Sequence, residues 1–171
     1  MMEWDEYVAW TDTTALPAAG NLEYVRTGIL EEANEFLAAY FALQAAKLGR
    51  AKRVLRGDAA EVLAAKDAAI ERAQAQMVAE LGDLAWYVAR VQALRGAIIE
   101  SRVCWDVSPG GLLGFLEWCA VIDEWGAARS ADLLGYCLQF AGVDLDAVLD
   151  VNVQKLTDRK AAGTIQGAGD R

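Results

Sequence analysis

Leu30-Glu31-Glu32-Ala33-Asn34-Glu35-Phe36 and Glu80-Leu81-Gly82-Asp83-Leu84 are two short acidic runs inside otherwise apolar, helix-forming sequence. At about 100° per residue, a helix through the first run aligns Leu22, Val25, Ile29, Ala33, Phe36, Tyr40 and Leu43 as a core stripe. Glu32 and Glu35 fall on one flank of that stripe, and Glu31 turns further round, towards water. A helix through the second run aligns Met77, Leu81, Leu84, Val88 and Val91, with Glu80, Asp83 and Tyr87 on the flank. The two helices share one design, and that design predicts an all-α chain.

Carboxylates three apart on a helix have Cβ atoms roughly 5 to 6 Å apart, so each pair can converge on one point beside its helix. When two such helices pack, four carboxylates face one another. Desolvation and mutual repulsion then favour protonation unless cations are present. A hard divalent ion removes the difficulty, and an oxygen-only donor set points to Mg²⁺ or Mn²⁺. The chain has no histidine, which argues against zinc and against di-iron bundles built on Glu-x-x-His pairs. A lone Glu-x-x-Glu is most often a solvated face; two, each bordering a strong apolar stripe, leave a metal site and a solvated face equally open.

Length and composition bound the rest. A chain of 171 residues suits one domain, 1–171, with a core large enough to need no staples. The apolar fraction of 55% and only two prolines favour a packed helical protein over a disordered one. A net charge of −9 weighs against nonspecific nucleic-acid binding, which needs an excess of Lys and Arg. Cys104, Cys119 and Cys137 show no metal-ligand spacing, so reduced thiols in a cytoplasmic protein are expected. The acidic opening Met1-Met2-Glu3-Trp4-Asp5-Glu6 does not read as a signal peptide, and no apolar run is long enough to predict a membrane span.

In chain order, a first helix is expected over residues 3–12 with Trp4, Tyr7, Val8 and Trp10 inward, broken by Thr13-Thr14-Ala15-Leu16-Pro17. Asn21 caps a helix from Leu22 to about Leu48. That helix closes in a basic patch of Lys47, Arg50, Lys52, Arg53 and Arg56, either a solvated helix end or a contact for outer phosphates. Gly57-Asp58 interrupts, and residues 59–95 continue as one long helix or two abutting ones. Trp86 lies opposite the core stripe and needs a second cover, from the same chain or from a partner subunit. Gly96, Ser108-Pro109-Gly110-Gly111 and Gly126 punctuate a further apolar stretch. Gly142 then ends a helix, and Asp144 is placed to cap the last one. There Asn152, Lys155 and Arg159 share a face with Leu145 and Val148. Lys155 and Arg159 either snorkel from the core edge or meet a ligand. The glycine-rich tail from about 161 to 171 is expected to be flexible, and either frays or folds its backbone N–H groups around an anion.

Glu31-Glu32-x-x-Glu35 followed by Glu80-x-x-Asp83 resembles the metal-binding pattern of the MazG-like, all-α nucleoside triphosphate pyrophosphohydrolases. Glu80-Leu-Gly-Asp-Leu-Ala-Trp-Tyr-Val-Ala89 is similar to that family's second metal helix. Asp144-Leu-Asp-Ala-Val-Leu-Asp-Val-Asn152-Val-Gln-Lys155-Leu156, running on to Arg159, is a third match, and Gly163-Thr-Ile-Gln-Gly167-Ala-Gly169-Asp170-Arg171 a fourth. Together they cover about half of the chain in the family's order. The chain departs from the pattern in the long gap between Glu35 and Glu80 and in a stretch at about 97–130, which reads as an inserted helical hairpin.

The resemblance implies a helical bundle completed by dimerisation, as a dimer or a dimer of dimers. The implied reaction is Mg²⁺-dependent hydrolysis of a nucleoside triphosphate to the monophosphate and pyrophosphate. It makes Glu32, Glu35, Glu80 and Asp83 the metal ligands, with Glu31 and Glu35 available to orient water. Asn152, Lys155, Arg159 and Arg171 become the substrate contacts. An all-α dUTP pyrophosphatase and a non-catalytic helical binding or assembly module are the alternatives.

Overall fold

Asn21 has extended backbone, and its side chain accepts the Glu23 N–H at 2.8 Å, which starts helix α2 (Leu22–Leu55). Gly57, at φ +73°, makes the turn that proline or a β-branched residue would not allow, and Arg53 Nη1 meets Asp58 Oδ2 across it at 2.9 Å. The chain then returns as α3 (Ala60–Arg95), one unbroken helix. Arg50 pairs with Asp67, Glu32 meets Glu80, and Gly28 lies against Tyr87. Positions rise along α2 as they fall along α3, so the two form an antiparallel hairpin, each arm about 50 Å long at 1.5 Å per residue.

The computed structural model describes residues 2–95 and 127–165. Among them are five α-helices and no strand: α1 (Trp4–Thr11), α2, α3, α4 (Ala127–Ala141) and α5 (Leu145–Ala161), with a 3-10 turn at Pro17–Gly20. The expected inserted hairpin lies almost wholly outside the described residues, as do Cys104, Cys119 and Arg171. No helix among the described residues is long and apolar enough to cross a membrane.

The expected stripes form the core. Val25, Ile29, Ala33, Phe36 and Leu43 of α2 are buried against Met77, Leu81, Leu84, Val88 and Val91 of α3, while Leu22 and Tyr40 are only partly buried. Leu133, Leu134 and the Cys137 thiol of α4, and Val148 and Leu149 of α5, close two further sides. Tyr40 and Phe140 bring α2 and α4 together, with ring centroids 4.4 Å apart. Gly142, at φ +67°, ends α4 as expected. Asp144 does take the N-cap position of α5, but its side chain makes no capping bond.

Helix α1 is strapped across α3. Trp4 Nε1 donates to Gln92 Oε1 at 2.7 Å, and the Arg90 guanidinium, itself buried, reaches Thr11 Oγ1 at 3.3 Å and the Asp12 carboxylate. The segment after α1 covers Trp86, whose Nε1 donates to Thr14 Oγ1 at 3.0 Å. Of the two covers open to Trp86, the chain's own is the one found, so this residue gives no reason to expect a partner. Helix α2 runs seven residues past its expected end at Leu48, so the basic patch lies on continuous helix. Arg50 and Arg53 there pair with Asp67 and Asp58, some 27 Å from Glu32 for Arg50, at about 1.5 Å per residue. Within one chain those two arginines are taken up by ion pairs of the hairpin.

Candidate metal centre

Helix α2 delivers Glu32, and α3 delivers Glu80 and Asp83. One carboxylate oxygen from each lies within 4.8 Å of the other two. Glu32 is only 6% exposed, and its Oε2 is buried with no hydrogen-bond partner. A buried acceptor left unsatisfied costs free energy, of order 1–3 kcal/mol and more when charged. The Glu80 carboxylate accepts from Gln76 Nε2, one helical turn back. Asp83 is held on both oxygens: Asn152 Nδ2 donates to Oδ1 at 3.0 Å, and Lys155 Nζ pairs with Oδ2. Asn152 in turn accepts from the Tyr7 hydroxyl at 2.7 Å.

The helix sequences account for this convergence. Glycine at position 82 leaves room for α5: a Cβ there would lie 2.9 Å from Asn152 Cβ and 3.0 Å from its Nδ2. Glycine at 28 does the same for Tyr87, whose ring occupies the place of a side chain, 2.2 Å from where a Cβ would be. Any larger residue at either position would push a neighbouring element off the acidic cluster.

Crowding shows in the protonation. Burial, then the charges of Asp83, Glu35 and Glu80, push the Glu32 carboxyl up to about 8, with Lys155 opposing. Burial also raises Glu80; the Gln76 hydrogen bond and Lys155 act against it, while Asp83 and Glu35 add to it. Burial is the main cause raising the Tyr7 and Tyr87 hydroxyls, with Asp83 adding in both cases. Lys155 thus supplies one positive charge against a set of carboxylates that needs more. The set fits a hard divalent cation on three counts: its donors are all oxygens, they come from two helices, and Glu32 carries a buried oxygen without a partner.

Four of the residues singled out in the sequence, Glu32, Glu80, Asp83 and Lys155, meet directly, with Asn152 beside them. Glu35 is exposed and stands one turn along α2, outside the three-carboxylate set but close enough for its charge to raise both Glu32 and Glu80. Glu31 is exposed and outside the set. Arg159 is half-buried one turn beyond Lys155. Tyr7 and Gln76 belong to the site without having been read into it. The spacing of Gln76 to Glu80, i to i+4, was a legible signal; Tyr7 lies 145 residues from Asn152, and nothing local announced that bond. Comparison with protein-family models, with curated proteins and with solved structures finds no match for the chain.

Proposed function

We propose that this chain is a Mg²⁺-dependent nucleoside triphosphate pyrophosphohydrolase of the MazG-like kind, converting (d)NTP and water to (d)NMP and pyrophosphate. The observation that carries the reading is the Glu32–Glu80–Asp83 cluster, in which a buried carboxylate oxygen lacks any partner beside a lysine and an amide. The four-motif resemblance supplies the substrate.

Mg²⁺, or Mn²⁺ in its place, when bound, supplies positive charge to a polyphosphate and acidity to water. Glu32, Glu80 and Asp83 would hold the cation, with the charge of Glu35 one turn along α2. The Glu32 carboxyl, pushed up to about 8 by burial and its acidic neighbours, would have to give up its proton to serve as a ligand. Lys155 Nζ, now on Asp83, is a flexible donor for phosphate oxygens, and Arg159 continues that face with a guanidinium suited to bidentate contact. The resemblance would add Arg171, which lies outside the described residues, as a further phosphate contact. The resemblance offers Glu31 and Glu35, both exposed, as the carboxylates that would orient the attacking water.

A nucleotide panel with Mg²⁺ and pyrophosphate detection tests the reading, and its dUTP arm separates the narrower pyrophosphatase. Release of pyrophosphate that EDTA stops is the expected result. Phosphate release, or no turnover of any nucleotide, overturns it.

The bundle is completed in this proposal by a second copy. Phe41, Leu48 and Leu55 stand seven apart on one face of α2 and are all exposed, Leu55 to 87%. Such a stripe is the seam along which helices pair. Light scattering should give a dimer or a dimer of dimers; a monomer at micromolar concentration removes this part.

A further inference from the structure

Asp83 stands apart from its two neighbours because donors from outside its own helix hold both of its oxygens. Asn152, only 1% exposed, is one of these donors, and chemistry fixes which way its amide points. A carboxylate oxygen accepts, so the NH₂ end of Asn152 faces Asp83 and the carbonyl end faces away. There it meets the fully buried Tyr7 hydroxyl, which must therefore donate. The run from Tyr7 through Asn152 to Asp83 has one direction. Turning the amide over would set Asn152 Oδ1 against the carboxylate, two acceptors with no proton between them, and would leave the Tyr7 hydroxyl to accept.

We propose that Tyr7 is a positioning residue of the metal centre: through the Asn152 amide, its hydroxyl holds the Asp83 carboxylate in the orientation that receives a divalent cation. This rests on the metal-centre reading of Glu32, Glu80 and Asp83. Helix α1, which the acidic motifs do not include, thereby becomes part of the site.

Three further observations support it. The strap that carries Tyr7 is fixed at both ends, by Trp4 on Gln92 and by Arg90 on Thr11 and Asp12, so the hydroxyl arrives on a held element. The rings of Trp4 and Trp10 flank Tyr7 at centroid distances of 5.7 and 5.6 Å and hold the phenol in place. The absent side chain at Gly82 brings α5 close enough for Asn152 to span the gap. Packing alone would be served by phenylalanine; a buried hydroxyl is costly unless its bond is used. Partners that orient a metal ligand in this way are commonly worth ten- to a hundredfold in metal affinity.

The test is binding of Mn²⁺ alone, without nucleotide, to the full chain, followed by the electron paramagnetic resonance of free Mn²⁺. Wild type, Tyr7→Phe, Asn152→Ala and the double variant are compared, with circular dichroism to confirm the helical fold. Tyr7→Phe, which keeps the ring, should weaken Mn²⁺ binding about tenfold. The double variant should bind no more weakly than Asn152→Ala, because Tyr7 acts only through that amide. A hydroxyl with a merely structural role would lower the melting temperature, leave Mn²⁺ affinity unchanged and add its effect to that of Asn152→Ala. Equal affinity of Tyr7→Phe and wild type overturns the relay and leaves the metal centre standing. A wild type that binds no Mn²⁺ overturns both. Tyr7→Phe decides the matter alone where Asn152→Ala does not fold.

Discussion

The two ends of the α2–α3 hairpin are built from the same two helices and are held by different forces. From Val25 to Leu43, and from Met77 to Gln92, α2 and α3 bury a residue at nearly every turn. Between residues 44 and 76 no side chain is buried, and Leu48, Val54, Leu55 and Val62 face outward. The first end has α1, α4 and α5 packed around it; the second has helix propensity, a turn and ion pairs such as Arg50–Asp67. Exposed ion pairs contribute little, about 0–1 kcal/mol each, so the distal arm is the less stable part of the same helices. The carboxylate cluster sits where the helices are braced. A site that must hold its ligands to a fraction of an ångström needs that bracing.

The largest contrast between the two ends is chemical. Glu32→Gln removes the orphaned carboxylate, and metal-dependent pyrophosphate release should fall by more than about 100-fold. Metal-free thermal stability should hold or rise, since glutamine carries no proton that the folded chain must keep while the unfolded chain releases it. Glu71→Gln, on the exposed distal part of α3, should change neither quantity. Full activity in Glu32→Gln would show that the cluster is not the site.

Next in size is packing. Gly28→Ala places a Cβ 2.2 Å from the Tyr87 ring, which is itself buried and cannot step aside cheaply. Overpacking of this kind costs about 1–3 kcal/mol, so the melting temperature should drop by several degrees. A drop smaller than 1 °C would mean that the α2–α3 contact is looser than described.

How much of this was legible follows the same division. The proximal core was written in helical periodicity, because each stripe is a local pattern that packing then rewards: every residue of the α3 stripe is buried. The extension of α2 to Leu55 was missed because the apolar stripe stops at Leu43, while good helix formers, among them Ala51, Lys52 and Arg53, carry the helix on without it. Trp86 was legible only as a residue wanting cover; a single-helix projection cannot show that Thr14 provides it. For the candidate site, three of the four expected ligands, Glu32, Glu80 and Asp83, converge while Glu35 stands outside them, and the support of the acids was not legible. Lys155 and Asn152 were read as ligand contacts by position, while their bonds to Asp83, and that of Tyr7 to Asn152, are long-range geometry.

Electrostatics gives a third contrast. The Glu32 carboxyl rises from 4.5 to about 8 on folding. Below pH 4.5 it is protonated in both states. Between the two values the unfolded chain releases the proton while the folded chain keeps it, so metal-free stability falls as pH rises through that window and levels off above it. In EDTA the melting temperature should fall from pH 5.5 to pH 8, by roughly 5 °C if about 2 kcal/mol survives solvent relaxation. Mg²⁺ should restore more at pH 8 than at pH 5.5, because there fewer Glu32 carboxyls carry a competing proton. Glu32→Gln should flatten both trends. A metal-free stability that climbs across this window would contradict the burial of Glu32.

The smallest effect belongs to the distal arm and has the opposite sign to that of Gly28. Gly49 lies in mid-helix on α2, and a Cβ added there meets nothing within 4 Å. Glycine inside a helix is less favourable than alanine by about 0.5–1 kcal/mol, chiefly because its unfolded chain has more freedom to lose. Gly49→Ala should therefore stabilise the arm, and amide exchange in residues 44–76 should slow while exchange around Glu32 stays as it was. One substitution type, made at two points on one helix, would thus move stability in opposite directions. That reversal distinguishes a helix held by its neighbours from a helix held by itself. If Gly49→Ala instead destabilised the chain, space at that position would be taken, and the outer face of α2 would have an occupant in solution, the second copy in the proposed dimer being the first to test.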